Sequence, residues 1–409
     1  MNKSMIRIGG ASGFWGDAGG ATAQLLGDAE LDFIVYDYLA EITMSIMARA
    51  RAKDPEQGYA RDFISAAMAP NLKQIAERNI GVISNAGGVN PRACAAALRA
   101  EIKKQGLSLK VACVLGDDLF EQRDALAARP IREMFSGEGM PPPDRIQSIN
   151  AYLGAFPIAQ ALDRGADIVI TGRCVDSAVT LGACIHHFGW GREALDRLAM
   201  GSLAGHILEC GVQASGGNFT DWELVADAIE RIGYPIAEIE SDGEFVCTKP
   251  DGTAGLVSVG TVAEQMLYEI GDPQAYVLPD VVCDFSGVQL QQVGENRVRL
   301  RGARGRAAPD TYKVCATYAD QFRGGTLFTF YGRNADQRAN AFAEAGLRAA
   351  RRVLQQHGLA DFSQTSIEVL GSRSQYGDFA QLANVREVTV KIAAKHPQAN
   401  GIGVLLKAL

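Results

Sequence analysis

The pair His206 and Glu209 has the residue types and the spacing for proton transfer. With Cys210 and Gln213 it falls on one face of a helix, if this segment is helical. Histidine exchanges protons near neutral pH, and a neighbouring carboxylate can fix its tautomer or act as an acid itself. The segment therefore predicts general acid–base catalysis. Two other readings stay open: a divalent metal with further ligands from elsewhere, and a histidine that only completes the packing between domains.

A second carboxylate pair, Asp37 and Glu41, follows an apolar run at 31–36. If a helix begins at Asp37, the two carboxylates share one face at the carboxyl end of a strand, where open α/β sheets bind their ligands. We interpret them as a second catalytic pair, a general base or metal ligands. The alternative is that one of them is a helix N-cap.

Asn85 follows another apolar run and precedes Gly87 and Gly88. This polar bend predicts an amide that binds a substrate carbonyl or carboxylate. Asn90 stands before Pro91, which is typical of a helix start because proline is favoured at the first helical position. We include Asn85, both glycines and Asn90 among the expected substrate-binding residues.

Arg173, Asp176 and Ser177 follow a further apolar run. The arginine offers a planar fork for a carboxylate or phosphate, and the other two stand where a helix N-cap is expected. We expect all three to bind substrate. Cys174 between them could be a nucleophile only if a cationic neighbour lowers its pKa.

A glycine-rich segment at 9–20 follows the first apolar run and precedes a predicted helix. Free backbone N–H groups at such a site favour an anion, and we assign Gly13, Trp15 and Asp17 to substrate binding. With Asp37 after the next run, a dinucleotide site is an alternative, although the spacing is not GxGxxG. A turn that needs glycines, with Trp15 as a buried plug, is the structural alternative.

Asn218 and Asp221 lie in a second polar glycine-rich segment at 215–222. Because we expect a domain junction here, and junctions are preferred places for ligand clefts, the two side chains can close a pocket from the second domain. An Asx turn is the alternative.

The N-terminal half alternates short, continuous apolar runs with helical segments. This is typical of parallel strands buried on both faces and connected by helices. The predicted strands lie at 6–8, 31–36, 80–84, 109–115 and 166–171, and the predicted helices at 19–26, 39–51, 61–78, 91–104, 149–164 and 203–212. We therefore predict an α/β fold with a doubly wound, mostly parallel sheet over residues 1–217.

The pattern changes after residue 217. An Asp242-Gly243 turn between apolar runs at 236–240 and 245–248 predicts a hairpin with a type I′ turn. Strands at 297–302, 312–318, 326–331, 366–370 and 387–393 surround a long helix at 335–357. We therefore predict a second, smaller α+β domain over residues 218–409, with antiparallel strands.

The composition of the 409 residues is that of a folded protein, with 47% hydrophobic and 21% charged residues and a formal net charge of −7. Scattered basic residues disfavour nucleic acid, and no run of 18 apolar residues predicts a membrane span. The N-terminus has no signal-peptide pattern, so we expect a cytoplasmic protein. The eight isolated cysteines predict free thiols rather than disulfides or a zinc cluster.

Several of these segments together resemble the acyclic terpene utilisation (AtuA-like) family. The resemblance rests on residues 13–17, 37–41, 85–91, 172–177, 205–221, 260–265 and 276–281. It implies a role in the breakdown of branched acyl chains, with coenzyme A as part of the substrate. Many longer members resemble a fusion to a small ferredoxin-like domain, which this sequence lacks. We therefore expect a separate small ferredoxin-like subunit or a homo-oligomer, partly because a strand at 387–393 would otherwise leave an edge unpaired.

The leading functional hypothesis is a lyase or hydratase that acts on a CoA thioester or a branched carboxylate. Such reactions next to a carbonyl need a base and an enolate-stabilising site, which the polar groups at the strand ends can supply. A nicotinamide-dependent oxidoreductase that uses segment 9–20 is one alternative. A non-catalytic subunit of an acyl-CoA-processing complex is another.

Overall fold

The protein is described by a computed structural model that covers residues 4–17, 19–28, 30–380 and 385–409. Ala18, in the glycine-rich segment, lies outside the described residues. The chain divides into two compact units, Met1–Tyr318 and Ala319–Leu409. This division lies about a hundred residues beyond the predicted boundary at 217/218.

The strands and helices of the first unit begin and end as follows. The strands are β1 (Met5–Gly10), β2 (Phe33–Tyr36), β3 (Gly81–Ser84), β4 (Val111–Val114), β5 (Ile146–Ala151), β6 (Ile168–Thr171), β7 (Ile236–Glu240), β8 (Phe245–Thr248), β9 (Tyr276–Val277), β10 (Val282–Asp284), β11 (Gln289–Gly294), β12 (Arg297–Arg301), β13 (Arg304–Arg306) and β14 (Val314–Tyr318). The α-helices are α1 (Ala21–Asp28), α2 (Glu41–Lys53), α3 (Leu72–Glu77), α4 (Pro91–Lys104), α5 (Arg123–Ala127), α6 (Phe156–Asp163), α7 (Ala178–Phe188), α8 (Leu195–Glu209) and α9 (Val259–Leu267).

One large sheet organises this unit, in the order β11-β12-β8-β7-β1-β2-β3-β6-β4. The strands from β1 to β4 in this order pair in parallel, as the continuous apolar runs predict. On the other side of β1, the strands β7, β8, β12 and β11 extend the same sheet, and each pairs with its neighbour in antiparallel fashion. Because the hairpin β7–β8 joins β1 directly, the segment after residue 217 completes this sheet and does not start a separate unit. The mixed α/β fold is therefore confirmed, and the predicted boundary is displaced.

The two faces of the sheet bury different side chains. Ile8 and Val35 lie in one hydrophobic cluster together with Leu203 of α8. Ile34 and Val82 lie in another, together with residues of α1, α2 and α4. The alternation follows from the two-residue period of a strand, which points successive side chains to opposite faces.

Three local predictions differ from the structure. The predicted helix at 149–164 starts only at Phe156, because Pro157 favours a helix start. Residues 149–151 belong instead to β5, which pairs with β14. The predicted helix at 61–78 is a π-helix (Phe63–Met68) followed by α3, with Pro70 between them. The β7–β8 hairpin forms, but only Gly243 has positive φ, so its turn is not type I′.

The second unit is a smaller α+β unit, as predicted. It contains β15 (Phe322–Tyr331), α10 (Ala335–Gln356), β16 (Gln364–Leu370), α11 (Arg373–Tyr376), β17 (Glu387–His396) and α12 (Ala399–Ala408). Its antiparallel sheet has the order β15-β17-β16. The central strand is β17, so the expectation that it would leave an edge unpaired is wrong. No α-helix in the described ranges has the length and hydrophobicity required to cross a bilayer.

Gly10→Ala should destabilise the first unit, because a Cβ at this position would lie 2.7 Å from the carbonyl oxygen of Leu208. Overpacking of this kind costs about 1–3 kcal/mol. Gly27→Ala is the matched control, since Gly27 lies in α1 with nothing within 4 Å of the added Cβ. It should leave stability unchanged or raise it by about 0.5–1 kcal/mol. Urea unfolding of both variants measures the difference, and equal free energies of unfolding would contradict the packing argument.

Candidate active site

The carboxyl ends of β2 and β3 bring Asp37 and Asn85 together. The strands are adjacent and parallel, so the residues that follow them lie along one edge of the sheet. Asn85 is fully buried; its Nδ2 donates to Asp37 Oδ1 at 2.5 Å, and its Oδ1 accepts from the Tyr38 N–H at 2.8 Å. Asn85 therefore positions the Asp37 carboxyl, a role that its residue type alone does not reveal.

Asp37 and Glu41 do not share a helical face. Helix α2 begins at Glu41, and its N-cap position is Ala40 in an extended conformation without a side-chain cap. Asp37 lies before the helix, where its Oδ1 accepts from the Leu39 N–H at 3.2 Å. This local turn competes with helix formation, which is why the predicted i, i+4 pairing and the predicted carboxylate cap are both wrong.

Glu41 belongs to a stack of charged and aromatic groups. It accepts hydrogen bonds from the Tyr152 hydroxyl and from Lys313 Nζ, the latter at 3.4 Å. The Tyr152 ring carries the Arg173 guanidinium at 4.1 Å and Lys313 Nζ at 4.6 Å from its centroid. Although burial opposes ionisation, the hydrogen bonds from Tyr152 and the backbone, with both cations, lower the pKa of Glu41 to about 2. Sequence reasoning missed Tyr152 and Lys313, because only the pairing of β5 with β14 brings them here.

Arg173 follows β6 and is almost completely buried. Its Nη1 donates to Asp176 Oδ1 at 2.7 Å, which forms an ion pair within the loop before α7. Its backbone N–H donates to Asp117 Oδ2 at 2.8 Å. A Cβ at Gly172 would lie 2.4 Å from the same carboxylate, so this glycine lets Asp117 hold the turn. Asp117 is a second positioning residue that the sequence patterns did not identify.

Cys174 is a buried thiol between Arg173 and the Asp176 loop. Burial raises its pKa to about 12, and the hydrogen bond from Thr171 and the charge of Arg173 oppose this rise only in part. The thiolate is therefore scarce near neutral pH, which disfavours the nucleophile interpretation. All eight cysteines are free, as predicted.

Helix α8 brings His206 and Glu209 to the polar edge of the sheet. Two close contacts with glycine hold its last turns in place: a Cβ at Gly205 would lie 2.6 Å from the Ser177 carbonyl oxygen, and one at Gly13 would lie 2.7 Å from the Cys210 carbonyl carbon. The helix face predicted from the sequence is therefore next to the predicted Asp176 loop and the glycine-rich segment.

His206 and Glu209 form a buried pair, with Nδ1 of the histidine 2.7 Å from Oε1 of the carboxyl group. Their side chains are only 1% and 5% exposed. Burial raises the pKa of Glu209 to about 7, and Asp176 adds to this rise, while His206 opposes it. Burial lowers the pKa of His206, but the Glu209 carboxylate outweighs it and the net shift is upwards. The pair thus holds its proton up to near-neutral pH, which suits acid–base chemistry.

Asp37 belongs to the same electrostatic cluster. Burial raises its pKa well above the ordinary value, and the charges of Asp176 and Glu209 add to the rise. Arg173 and Asn85 act in the opposite direction. A carboxyl group in such a setting keeps its proton to a higher pH than an ordinary aspartate does.

Four buried polar atoms of this cluster have no hydrogen-bond partner among the described residues. They are Arg173 Nε, Ser177 Oγ, His206 Nε2 and Glu209 Oε2. Buried polar groups are normally paired with protein groups or with ordered water, so these atoms are candidate contacts for water, an ion or a ligand. Ser177 stands at the predicted N-cap position of α7 but makes no side-chain cap hydrogen bond. The cluster therefore offers free donors and acceptors to a bound molecule.

The glycine-rich segment is tied to its surroundings by its own side chains. Asp17 accepts from the Gly13 N–H and from the Tyr234 hydroxyl, both at 2.9 Å. Trp15 is partly buried, and its Nε1 donates to Asp62 at 2.6 Å. With Gly13 packed on α8, these contacts account for the residue types without a ligand.

Gly87, Gly88 and Asn90 also have structural contacts. A Cβ at Gly87 would lie 2.3 Å from the Thr171 carbonyl oxygen, and Gly88 has a positive φ of 53°. Asn90 caps α4, as predicted, by accepting from the Ala93 N–H at 3.3 Å. These residues shape the loop behind Asn85, and their assignment to substrate binding stays a prediction.

The contacts found for Asn218 and Asp221 are with residues other than His206 and Glu209. Asn218 is exposed and donates to Gln213 Oε1 at 3.0 Å, and Asp221 is exposed at the start of a 3₁₀ turn. Gln213 in turn donates to Gln265, whose Nε2 donates to the His206 carbonyl oxygen at 2.8 Å. Asn218 therefore reaches the site through two other amides, and Gln265 is the residue that contacts it.

Within the described ranges, no three His, Cys, Asp or Glu side chains are grouped so that they could hold a metal ion. A divalent metal bound by His206 and Glu209, which the sequence left open, stays a prediction.

Gln265→Leu should destabilise the last turn of α8, because it removes the donor for a buried carbonyl that the end of the helix leaves without a partner. Loss of a buried hydrogen-bond partner costs about 1–3 kcal/mol. Gln289→Leu is the control, since the Gln289 side chain accepts a hydrogen bond from Arg301 on an exposed strand. Denaturant unfolding should separate the two variants, and an equally small loss in both would refute the capping role.

Stability should fall as pH rises, and Glu209→Gln should weaken this dependence. The pKa of Glu209 is about 7 in the folded state against an ordinary 4.5. The stabilisation is therefore complete below about pH 4.5 and is lost as pH rises through about 7. Melting temperatures across this range measure it. Glu101→Gln is the control, because hydrogen bonds from Gln105 and Lys104 lower the pKa of this carboxyl group, opposite to the shift of Glu209. An unchanged slope in Glu209→Gln would contradict the assignment.

The chain was compared with protein families, curated proteins and solved structures. The family described as "Acyclic terpene utilisation family protein AtuA" matches residues 6–409. No curated protein and no solved structure matches. The match covers nearly the whole sequence and agrees with the resemblance of the individual segments. The chain therefore belongs to the AtuA family of acyclic terpene utilisation proteins.

Proposed function

We propose that this chain is a lyase or hydratase that acts on a CoA thioester or a branched carboxylate. Family membership implies involvement in acyclic terpene utilisation. The observation that carries the proposed reaction class is the buried His206–Glu209 pair, whose outer atoms Nε2 and Oε2 have no partner among the described residues. A proton-transfer pair with free outer atoms, next to a carboxyl group of raised pKa, suits chemistry beside a carbonyl.

In the hydratase form, His206 Nε2 removes a proton from water. The water oxygen then bonds to the β-carbon of an α,β-unsaturated acyl group, and the electron pair of the double bond moves onto the carbonyl oxygen as an enolate. The enolate collapses when the α-carbon takes up a proton from the imidazolium. In the lyase form, His206 Nε2 removes the proton of a β-hydroxyl, and the β-oxygen forms a C=O bond as the bond between the α- and β-carbons breaks. The electron pair of that bond forms an enolate, whose α-carbon then takes up the proton from the imidazolium.

The neighbouring residues have distinct tasks in this proposal. Glu209 fixes the tautomer of His206 through Nδ1 and stabilises the imidazolium. Asp37, whose pKa is raised by burial, donates a hydrogen bond from its protonated form to the enolate oxygen. Arg173 Nε–H is a second donor for the same oxygen.

The other hypotheses lack an observation of this kind. The nicotinamide hypothesis used the glycine-rich segment, but packing on α8 already accounts for Gly10 and Gly13. A non-catalytic subunit would not need a buried acid–base pair with free outer atoms. A cytoplasmic location, and association with a second copy or a small ferredoxin-like subunit, complete the proposal. Light scattering and pull-down from the host test the association.

His206→Gln and His206→Ala should abolish turnover, because loss of a general acid–base group typically lowers the rate by about 10²–10⁴-fold. Glu209→Gln should reduce it less. A thermal-shift screen of branched acyl-CoA thioesters and free acids first identifies ligands, and mass spectrometry then detects addition of water or chain cleavage. His357→Gln, an exposed histidine at the end of α10, is the control.

The comparison separates catalysis from packing. If His206 only completes the core, its variants will melt at a lower temperature and still turn over at the wild-type rate below that temperature. That result would remove the proposed role and move the search for the base to Asp37.

A further inference from the structure

Every cation of the cluster already has a carboxylate partner. Arg173 pairs with Asp176 at 2.7 Å, and His206 pairs with Glu209 at 2.7 Å. At the rim, Lys313 pairs with Glu41 at 3.4 Å. Each of these positive charges is thus matched by a negative charge within the described structure.

The other ionisable groups that act on the pair are carboxyl groups. Asp37 is buried within Coulombic range of Asp176 and Glu209, and Glu269 acts on Glu209 in the same direction. The neighbourhood is therefore neutral or negative before a ligand enters. Arg173 is the residue that the sequence predicted to clamp a carboxylate, but its guanidinium is already engaged by Asp176.

A free carboxylate would be costly here. Transfer of an ionised carboxylate from water into a buried site is unfavourable unless a cation and hydrogen bonds compensate it. Its approach to the Asp176 carboxylate, and to Glu209 when that group is ionised, would add like-charge repulsion. A neutral carbonyl needs only hydrogen-bond donors, and Arg173 Nε–H is a buried donor without a partner among the described residues.

We propose that the site binds the reacting end of its substrate as an uncharged acyl carbonyl, a thioester or ester, and discriminates against the free carboxylate. This inference rests on the proposed function and narrows it, since that function left both substrate classes open. The ion pair between Arg173 and Asp176 determines this specificity. Asp176 neutralises the guanidinium charge, so that this charge no longer attracts a substrate carboxylate, while the Arg173 Nε–H can still donate a hydrogen bond to a carbonyl oxygen.

The test compares two probes of the same carbon skeleton by isothermal titration calorimetry. The probes are the N-acetylcysteamine thioester of dimethylacrylic acid and free dimethylacrylate at neutral pH. We expect wild-type protein to bind the thioester at least about tenfold more tightly, a difference of about 1.4 kcal/mol. Equal or tighter binding of the free acid, or no binding of the thioester at millimolar concentration, would overturn the inference.

Asp176→Asn tests the Arg173–Asp176 ion pair itself. The variant frees the Arg173 charge, so affinity for the free acid should rise at least about tenfold relative to affinity for the thioester. Asp196→Asn is the matched control, because Asp196 forms an ion pair of the same length, 2.7 Å, with Arg304 on the surface. A probe preference that is the same in both variants would refute the role of Asp176. Wild-type binding decides the main claim if Asp176→Asn does not fold.

The two proposals fail in different ways. Preferential thioester binding without turnover of any branched acyl thioester would leave the charge inference standing and remove the proposed reaction. Turnover that depends on His206 but prefers the free acid would support the proposed reaction and remove the charge inference.

Discussion

The close approach of α8 to the sheet is the constraint on which the site depends. At Gly10, Gly13 and Gly205 an added Cβ would lie within 2.6–2.7 Å of a backbone atom of Leu208, Cys210 or Ser177. Side chains at these positions would push the last turn of the helix away from the strand ends. The acid–base pair would then no longer share a buried neighbourhood with Asp37 and Asp176. Glycines that resemble a phosphate loop in the sequence serve here to bring a helix into place.

Burial gives this neighbourhood its chemistry. Exposed ion pairs contribute little and are screened by solvent, whereas pairs such as Arg173–Asp176 lie where charge is expensive and must be matched. The same burial holds a proton on the His206–Glu209 pair and on Asp37 at a pH where ordinary carboxyl groups have lost theirs. Burial therefore explains both why the ionised groups are paired and why the carboxyl groups keep their protons. Together they make the site a proton donor and acceptor with little affinity for further charge.

The sequence predicted what depends on local pattern. Continuous apolar runs located the parallel strands, and because such strands end at one edge, Asp37, Asn85 and Arg173 could be expected to lie together. Contacts between distant segments were not predictable. Tyr152 and Lys313 meet only through the β5–β14 pairing, and Gln265 reaches His206 from a helix more than fifty residues away. The boundary at 217/218 failed for the same reason, since a change from parallel to antiparallel pattern does not say whether the new strands join the old sheet.

The unpaired atoms of the cluster also bear on stability. A buried donor or acceptor without a partner costs about 1–3 kcal/mol, and within one side-chain pair His206 Nε2 and Glu209 Oε2 both lack a protein partner among the described residues. Apolar residues of similar size would fold more favourably in the same space, next to side chains such as Leu203 and Ile207. Proteins break such local rules mainly at functional sites, where a ligand recovers the missing interactions. A ligand that bonds to these two atoms would supply interactions that the protein groups do not, and that physical reason favours His206 and Glu209 as the groups that meet the substrate over Asn85, whose amide oxygen and nitrogen both bond to protein groups.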